Sequence, residues 1–492
     1  MSGSDDEKRF SSSDGMFLKP DKTGYFQLFL QVLFGSNWNK KEFVKCHHEF
    51  NFKAGFHPKW RVFVSLLAQK VLHNKASMFK FVGDITESLL NPKASSNNNL
   101  FMLLFNYMRG KEILDKSSVH YISIIGHMDK RLELLDDTIK HEDPIKYNAA
   151  LSMMASKVSY ENKAFVRDVV VDKWKKELVD PCRDYWNDFQ EKATTQAFIM
   201  LDKGEEQDTY VVAFRGTEPF DADAWSTDVD ISWFELPGVG KAHAGFMKAL
   251  GFPVDFDNRI VSWPKEMQSY DNGIVSWPDE EMQSYDKNCP LAYYYIRNLL
   301  KKHLKRNNKA KFILTGHSLG GALAILFASM LIVHDEECLL KRLEGVYTFG
   351  QPRVGDKPFA LYMENKFKQY DVKYFRFVYC NDIVPRLPFD NDIMKFEHLR
   401  PGYYYDRNYE GQKKEEELNK NYFAWNAIMK NKVNAFLELV RSFTIVRKFG
   451  PAYKEGWLQI GFRFFGFLTI AGLPAHGPQD YVNVTRLGLH MD

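Results

Sequence analysis

KFILTGHSLGGALAILFA, residues 311–328, is the stretch that decides the fold. Its first five residues form an apolar run bounded by glycine, and its last eight are small and aliphatic residues that favour a helix. Between them Gly316-His317-Ser318-Leu319-Gly320 fits the pattern G-x-S-x-G. Five residues alone are a weak signal. A strand, a sharp turn and a helix in succession are the context that lifts a serine hydroxyl to the top of a sheet. The glycines belong to that reading, because so sharp a turn brings neighbouring chain close to its backbone. The competing reading is a serine in an ordinary glycine-rich turn.

Outward from this turn, apolar runs alternate with helical patterns. PIKYNAALSMMASKVSYE (144–161) reads as an amphipathic helix, and ATTQAFIMLDK (193–203) and DTYVVAFRGT (208–217) read as two strands around a polar turn. EGVYTFGQPRVG (344–355) and VKYFRFVYCNDIVPRLP (372–388) read as later strands. Strands alternating with helices imply a mostly parallel sheet, spanning about residues 140–400 plus the C-terminus.

A serine hydroxyl becomes nucleophilic when a histidine takes its proton and an acid orients that histidine. With a nucleophile on such a turn, the usual chain order is serine, acid, histidine. Asp382 satisfies it, in a loop directly after an apolar strand, with prolines fixing the turn beyond; Asp390 and Asp392 are later alternatives that read as solvated turn residues. Three histidines follow Asp382: His398, His476 and His490. His490 lies two residues from the C-terminus and His398 follows the acid closely. His476 stands in a loop before an apparently helical terminal segment and is the expected base. A developing oxyanion needs backbone donors, which Leu319, following the serine, and Thr217, at the end of YVVAFRGT, are placed to supply. Arg215 in an ion pair and Thr217 as a helix cap are compatible structural roles.

The motifs AFRGTEP (213–219), AHAGFM (242–247), TGHSLGGALA (315–324), TFGQPRVGD (348–356) and CNDIVPRLP (380–388) occur in that order. As a set they resemble the class 3, fungal-type triacylglycerol lipase family, and HGPQDYVNVTRLG (476–488) with the apolar N-terminal region is similar to its plant oil-body branch. The resemblance implies an α/β-hydrolase fold, a mostly parallel central sheet flanked by helices. It adds an N-terminal helical, lipid-associating region and a helical insertion before the catalytic histidine. It implies Ser318 as nucleophile, Asp382 as acid, His476 as base, and Thr217 with Leu319 as oxyanion hole. It further implies a lid over residues 219–234, with Trp225, Ile231, Trp233 and Phe234 as its apolar face. The chain departs from the family in a duplication, 260–271 against 274–286, read as a surface loop, and in a long gap between Asp382 and His476.

Composition bounds the rest. The 66 Lys plus Arg nearly cancel the 63 Asp plus Glu, which sets nucleic acid aside as a partner. Aromatic residues reach 15%, enough to suggest apolar surface beyond one core. Cys46, Cys182, Cys289, Cys338 and Cys380 are scattered without CxxC pairing and read as reduced thiols. The polar, acidic first twenty residues fit neither a signal nor a transit peptide and are expected to be disordered, leaving the chain on the cytosolic side. Between Lys19 and Lys116, 15 basic residues against 7 acidic ones flank runs such as GYFQLFLQVLF. That is the composition of an interfacial helix layer, with a packed helical subdomain as the plainer reading. The expected layout is a tail (1–20), a basic, apolar helical region (21–140) and a lipase domain (141–492) with an insertion at about 403–470. The expected activity is hydrolysis of acylglycerol esters at a lipid-droplet surface, with no metal or cofactor. The rivals are acyl hydrolysis of membrane phospholipids or galactolipids and a non-catalytic droplet coat.

Overall fold

A computed structural model describes residues 15–34, 43–46, 56–92, 114–187, 189–190, 192–218, 230–236, 238–252, 290–388, 395–417 and 425–488, with isolated positions between them. Its principal elements begin with β1 (Gly15–Leu18), α1 (Tyr25–Phe34), β2 (Val44–Cys46), α2 (Phe56–Leu90) and α3 (Pro144–Val158). Next come β3 (Glu177–Asn187), β4 (Lys192–Asp202), β5 (Thr209–Phe214), β6 (Trp233–Leu236), β7 (Gly240–His243), α4 (Ala292–Arg306) and β8 (Lys311–His317). The middle of the chain continues with α5 (Leu319–Val333), β9 (Leu343–Phe349), β10 (Gly355–Asp356), α6 (Lys357–Tyr370) and β11 (Lys373–Tyr379). The last third holds β12 (Phe396–Glu397), β13 (Gly402–Tyr405), β14 (Gly411–Lys414), α7 (Trp425–Phe449), α8 (Trp457–Leu468) and α9 (Pro478–Leu487).

The central sheet runs β14-β13-β11-β9-β8-β5-β4-β3. Neighbours from β5 to β13 pair in parallel, and β3, β4 and β14 are attached antiparallel. Strand β5 explains its own apolar run. Tyr210, Val212 and Phe214 pack into the layer of α4, α5 and α6, whereas Val211 and Ala213 pack into the layer of α3 and α9. A strand covered on both faces has no polar side to show. Helix α5 is apolar all round because it is buried from Leu319 to Ile332. Helix α3 starts where Pro144 fits the first turn and the Asp143 side chain accepts from the Lys146 N–H. This is the α/β-hydrolase arrangement expected from the elbow.

A smaller sheet, β12-β10-β7-β6-β1-β2, carries two departures from expectation. Residues 15–18, expected within a disordered tail, form β1, in which Met16 pairs with both Cys46 and Trp233. Met16, Leu18, Leu28, Val44, Val62 and Leu66 of the N-terminal region then share one apolar cluster with Ile231, Trp233 and Phe396. The region before residue 140 is therefore joined to the remainder by backbone pairing as well as by packing. The third departure concerns PGYYYD. Expected inside a helical insertion, it supplies β13, which pairs with β11 and extends the central sheet before the two helices begin. Three consecutive tyrosines, Tyr403 to Tyr405, suit a strand, and the Asp406 carboxylate accepts from Asn408 N–H and Glu410 N–H to turn the chain into β14. The duplicated segment lies outside the described residues. Among the described residues no helix is long and apolar enough to cross a membrane.

Candidate active site

Strand β8 ends at His317 and α5 begins at Leu319, so a single residue, Ser318, makes the corner, with φ 59° and ψ −132°. A non-glycine residue in that left-handed region is strained and is held there by its surroundings. The surroundings are visible in the glycines. A Cβ on Gly316 would overlap the backbone of Gly320, and one on Gly320 would overlap the Phe214 carbonyl. The close crossing of β8, α5 and the end of β5 thus admits no side chain. Gly320→Ala is expected to force β5 and the elbow apart and lower kcat by about 100-fold or more, the usual cost of misplacing a nucleophile by about 1 Å. Wild-type kcat in a folded Gly320→Ala protein would refute this account of the corner.

The structure brings the acid and the histidine expected from the sequence together across 94 positions. Asp382 follows β11 and is fully buried, and its Oδ2 lies 2.8 Å from His476 Nδ1. A carboxylate accepts, so Nδ1 carries a hydrogen and donates it to Asp382. The His476 Nε2 has no hydrogen-bond partner among the described residues. The other Asp382 oxygen accepts from the Val384 N–H at 2.9 Å. His317 connects this pair to the elbow. Its ring stacks on His476 with centroids 4.5 Å apart, and its Nε2 donates to the His476 carbonyl at 2.9 Å. The same tautomer lets His317 Nδ1 accept from Tyr160 Oη at 2.9 Å. Burial, with His476 beside it, holds the His317 pKa well below the usual histidine range, so the ring stays neutral.

The other expected residues fall as follows. Leu319 heads α5, where the first backbone N–H groups have no intrahelical acceptor. Thr217 is buried at the end of the β5 extension, and a Cβ on the preceding Gly216 would meet the Tyr160 hydroxyl and the His317 carbonyl. Both donors therefore border the same corner. Arg215 forms the ion pair anticipated for it, with Glu218 at 2.5 Å. His398 is buried away from Asp382 and bonds the Pro385 carbonyl at 2.6 Å, which fixes the loop that carries the acid. Asp390, Asp392 and His490 lie outside the described residues. The expected lid face divides. Trp225 is half-buried, and residues 226–229 and the Phe234 side chain lie outside the described residues. Ile231 and Trp233 are buried, and Trp233 is paired on both sides in the small sheet. A residue held between two strands cannot swing with a lid, so the lid boundary at residue 234 is too late.

Sequence reasoning missed Tyr481. Its hydroxyl donates to Asp382 Oδ2 at 2.5 Å, and burial together with the Asp382 charge holds its pKa well above the usual phenol range. Asp382 thereby receives the His476 N–H and the tyrosine hydroxyl on one oxygen and a backbone N–H on the other. The signal was present in HGPQDY, five residues after the histidine, but only the position of α9 turns that phenol toward the acid.

The family described as Lipase (class 3) matches residues 211–392. The triacylglycerol lipase OBL1 of Arabidopsis thaliana is 37% identical over 97% of this chain and 95% of its own. The chain belongs to the class 3 lipase family. Within this class 3 lipase, the match to a second relative, the triacylglycerol lipase OBL1 of Nicotiana tabacum, is 38% identical over 87% of the chain and 83% of the relative. The solved triacylglyceride lipase of Rhizomucor miehei superposes on 59% of the class 3 lipase described here and 89% of its own length, at 21% identity and a TM-score of 0.36. By its family and these relatives the protein is a serine ester hydrolase of the lipase type.

Proposed function

We propose that this lipase hydrolyses the ester bonds of triacylglycerol at an oil-body surface through Ser318, His476 and Asp382. The observation that carries the reading is the Asp382–His476 bond, which turns an Nε2 unpartnered among the described residues toward the Ser318 turn. Ser318 Oγ attacks the ester carbonyl while His476 Nε2 takes its proton. The carbonyl oxygen becomes an oxyanion received by the Leu319 N–H and by Thr217, and Asp382 stabilises the imidazolium. Collapse expels the glycerol oxygen, which takes the proton from His476, and leaves an acyl-serine. Water, deprotonated by His476, attacks that ester, and the fatty acid departs as the proton returns to Ser318.

The relatives' printed name, triacylglycerol lipase, supports triacylglycerol as the substrate, and the oil-body surface, reached from the cytosolic face, is part of the same proposal. Helix α1 supports a lipid-associating N-terminal region, since Tyr25, Phe26 and Phe29 stand exposed along it. The lid expected over residues 219–234 keeps Trp225 as a candidate for its apolar face, and most of residues 219–229 lie outside the described residues. Purified protein given triolein emulsion beside phosphatidylcholine vesicles tests the substrate: fatty acid should be released faster from triolein. Faster release from the vesicles would replace the triacylglycerol reading by the phospholipid one.

A further inference from the structure

Helices α7 and α8 form a hairpin whose two faces are reversed relative to a helix that meets water. The inner faces carry Asn431, Glu438 and Ser442 on α7 and Gln459 and Arg463 on α8, all buried. The outer faces carry Val433, Phe436 and Phe443 on α7 and Trp457, Phe465 and Leu468 on α8. Exposure is large: 61% for Phe443, 82% for Trp457 and 61% for Leu468. On α7 Met429, Val433, Phe436, Val440 and Phe443 are exposed at intervals of three or four positions, so they form one continuous stripe. A chain that hides its arginine and glutamate and shows its phenylalanines has an apolar phase outside it.

Charge narrows the identity of that phase. Between residues 425 and 470 the acidic residues are Glu438 and Glu455, and both are buried. Lys430, Arg447, Lys448 and Lys454 are exposed around the apolar stripe. A cationic rim about an apolar centre complements a layer with anionic headgroups over acyl chains. A second copy of the chain would bring the same cationic rim against itself. The hairpin also packs against the segment that leads to His476: a Cβ on Gly466 of α8 would overlap the Pro474 ring two residues before it, and Lys432 Nζ donates to the Thr469 carbonyl at 2.7 Å.

We propose that the outer face of the α7–α8 hairpin docks the protein on an anionic phospholipid layer, with Trp457, Phe465 and Leu468 entering the acyl region and the flanking lysines meeting headgroups. The proposal rests on the lipase reading above, and its test separates the two. Full-length protein and the triple variant Trp457→Ser, Phe465→Ser, Leu468→Ser are floated with phosphatidylcholine–phosphatidylserine vesicles. Both are also assayed on dissolved p-nitrophenyl butyrate, which needs no surface. All three side chains are exposed, so their replacement leaves the core intact. Binding of the variant should be weaker by about 100-fold, from the apolar area withdrawn, with the dissolved ester hydrolysed at the wild-type rate. Equal flotation of both proteins overturns the docking face. If the wild type sediments as a dimer, the variant as a monomer, and both float equally, the face is a contact between copies and the lipid assignment falls. A wild type that binds vesicles and needs these three residues to do so, but leaves the dissolved ester intact, supports docking and sinks the hydrolytic reading instead.

Discussion

Replacing Ser318 by alanine is expected to lower ester hydrolysis by about 10⁴- to 10⁶-fold, and His476→Ala should fall in the same range, because triad members act as a unit. Asp382→Asn is expected to cost about 10⁴-fold, since an amide oxygen no longer stabilises the imidazolium and its NH₂ favours the wrong tautomer. The effect is large because each residue has a single arrangement here. The Ser318 hydroxyl is fixed by a strained corner, and the imidazole is held by Asp382 on one side and by the stacked His317 ring on its face. Turnover of a dissolved ester, with circular dichroism to show folding, makes the measurement independent of surface binding. Near wild-type turnover in His476→Ala would place the base elsewhere.

The second large effect is on stability. Arg463, 1% exposed, donates from Nε to Glu455 Oε2 at 2.7 Å and from Nη2 to Asp480 Oδ2 at 2.8 Å. Arg441 shares both acids, reaching Asp480 Oδ1 at 2.8 Å and Glu455 Oε1 at 3.3 Å. Glu438 lies 3.7 Å from Arg463, and burial pushes its carboxyl pKa upward. Two guanidinium groups thus face the Glu455 and Asp480 carboxylates, with the Glu438 carboxyl beside Arg463. Arg463→Ala removes one cation from a buried site and leaves its carboxylate partners uncompensated, a loss that typically costs about 3 to 5 kcal/mol. Urea unfolding should show the midpoint fall sharply. An unchanged midpoint would mean that the network contributes nothing net, as some buried ion pairs do. Asp480 precedes Tyr481, so the same variant is expected to loosen the phenol that donates to Asp382.

The parts of this fold legible in the sequence were those decided locally. The corner at Ser318 showed because turn glycines, a strand and a helix are all within 18 residues of one another, and Asp382 showed because a loop directly after an apolar strand is a local feature. His476 followed from chain order and a loop context. What escaped depends on pairing across long separations. Met16 meets Trp233 only once the whole small sheet is assembled, so a polar-looking tail concealed a strand and a supposed lid residue turned out to be sheet. The tyrosines of β13 read as part of an insertion because their partner, β11, gives no sign of needing another neighbour. The reversed faces of α7 and α8 were hidden for a different reason. Arg463 among phenylalanines looks like an interruption in an apolar run until Glu455 and Asp480 are placed beside it.

The pairing of β1 with β6 bears on how this protein can be handled. A chain begun at residue 141 would keep every residue of the Ser318, Asp382 and His476 site, yet β6 would keep only β7 beside it and present an open sheet edge at Trp233. Unpaired edges next to apolar side chains recruit strands from other molecules. Such a truncation should yield aggregates rather than a water-soluble lipase, and trimming at the N-terminus is compatible with a native sheet only up to the residue before Gly15.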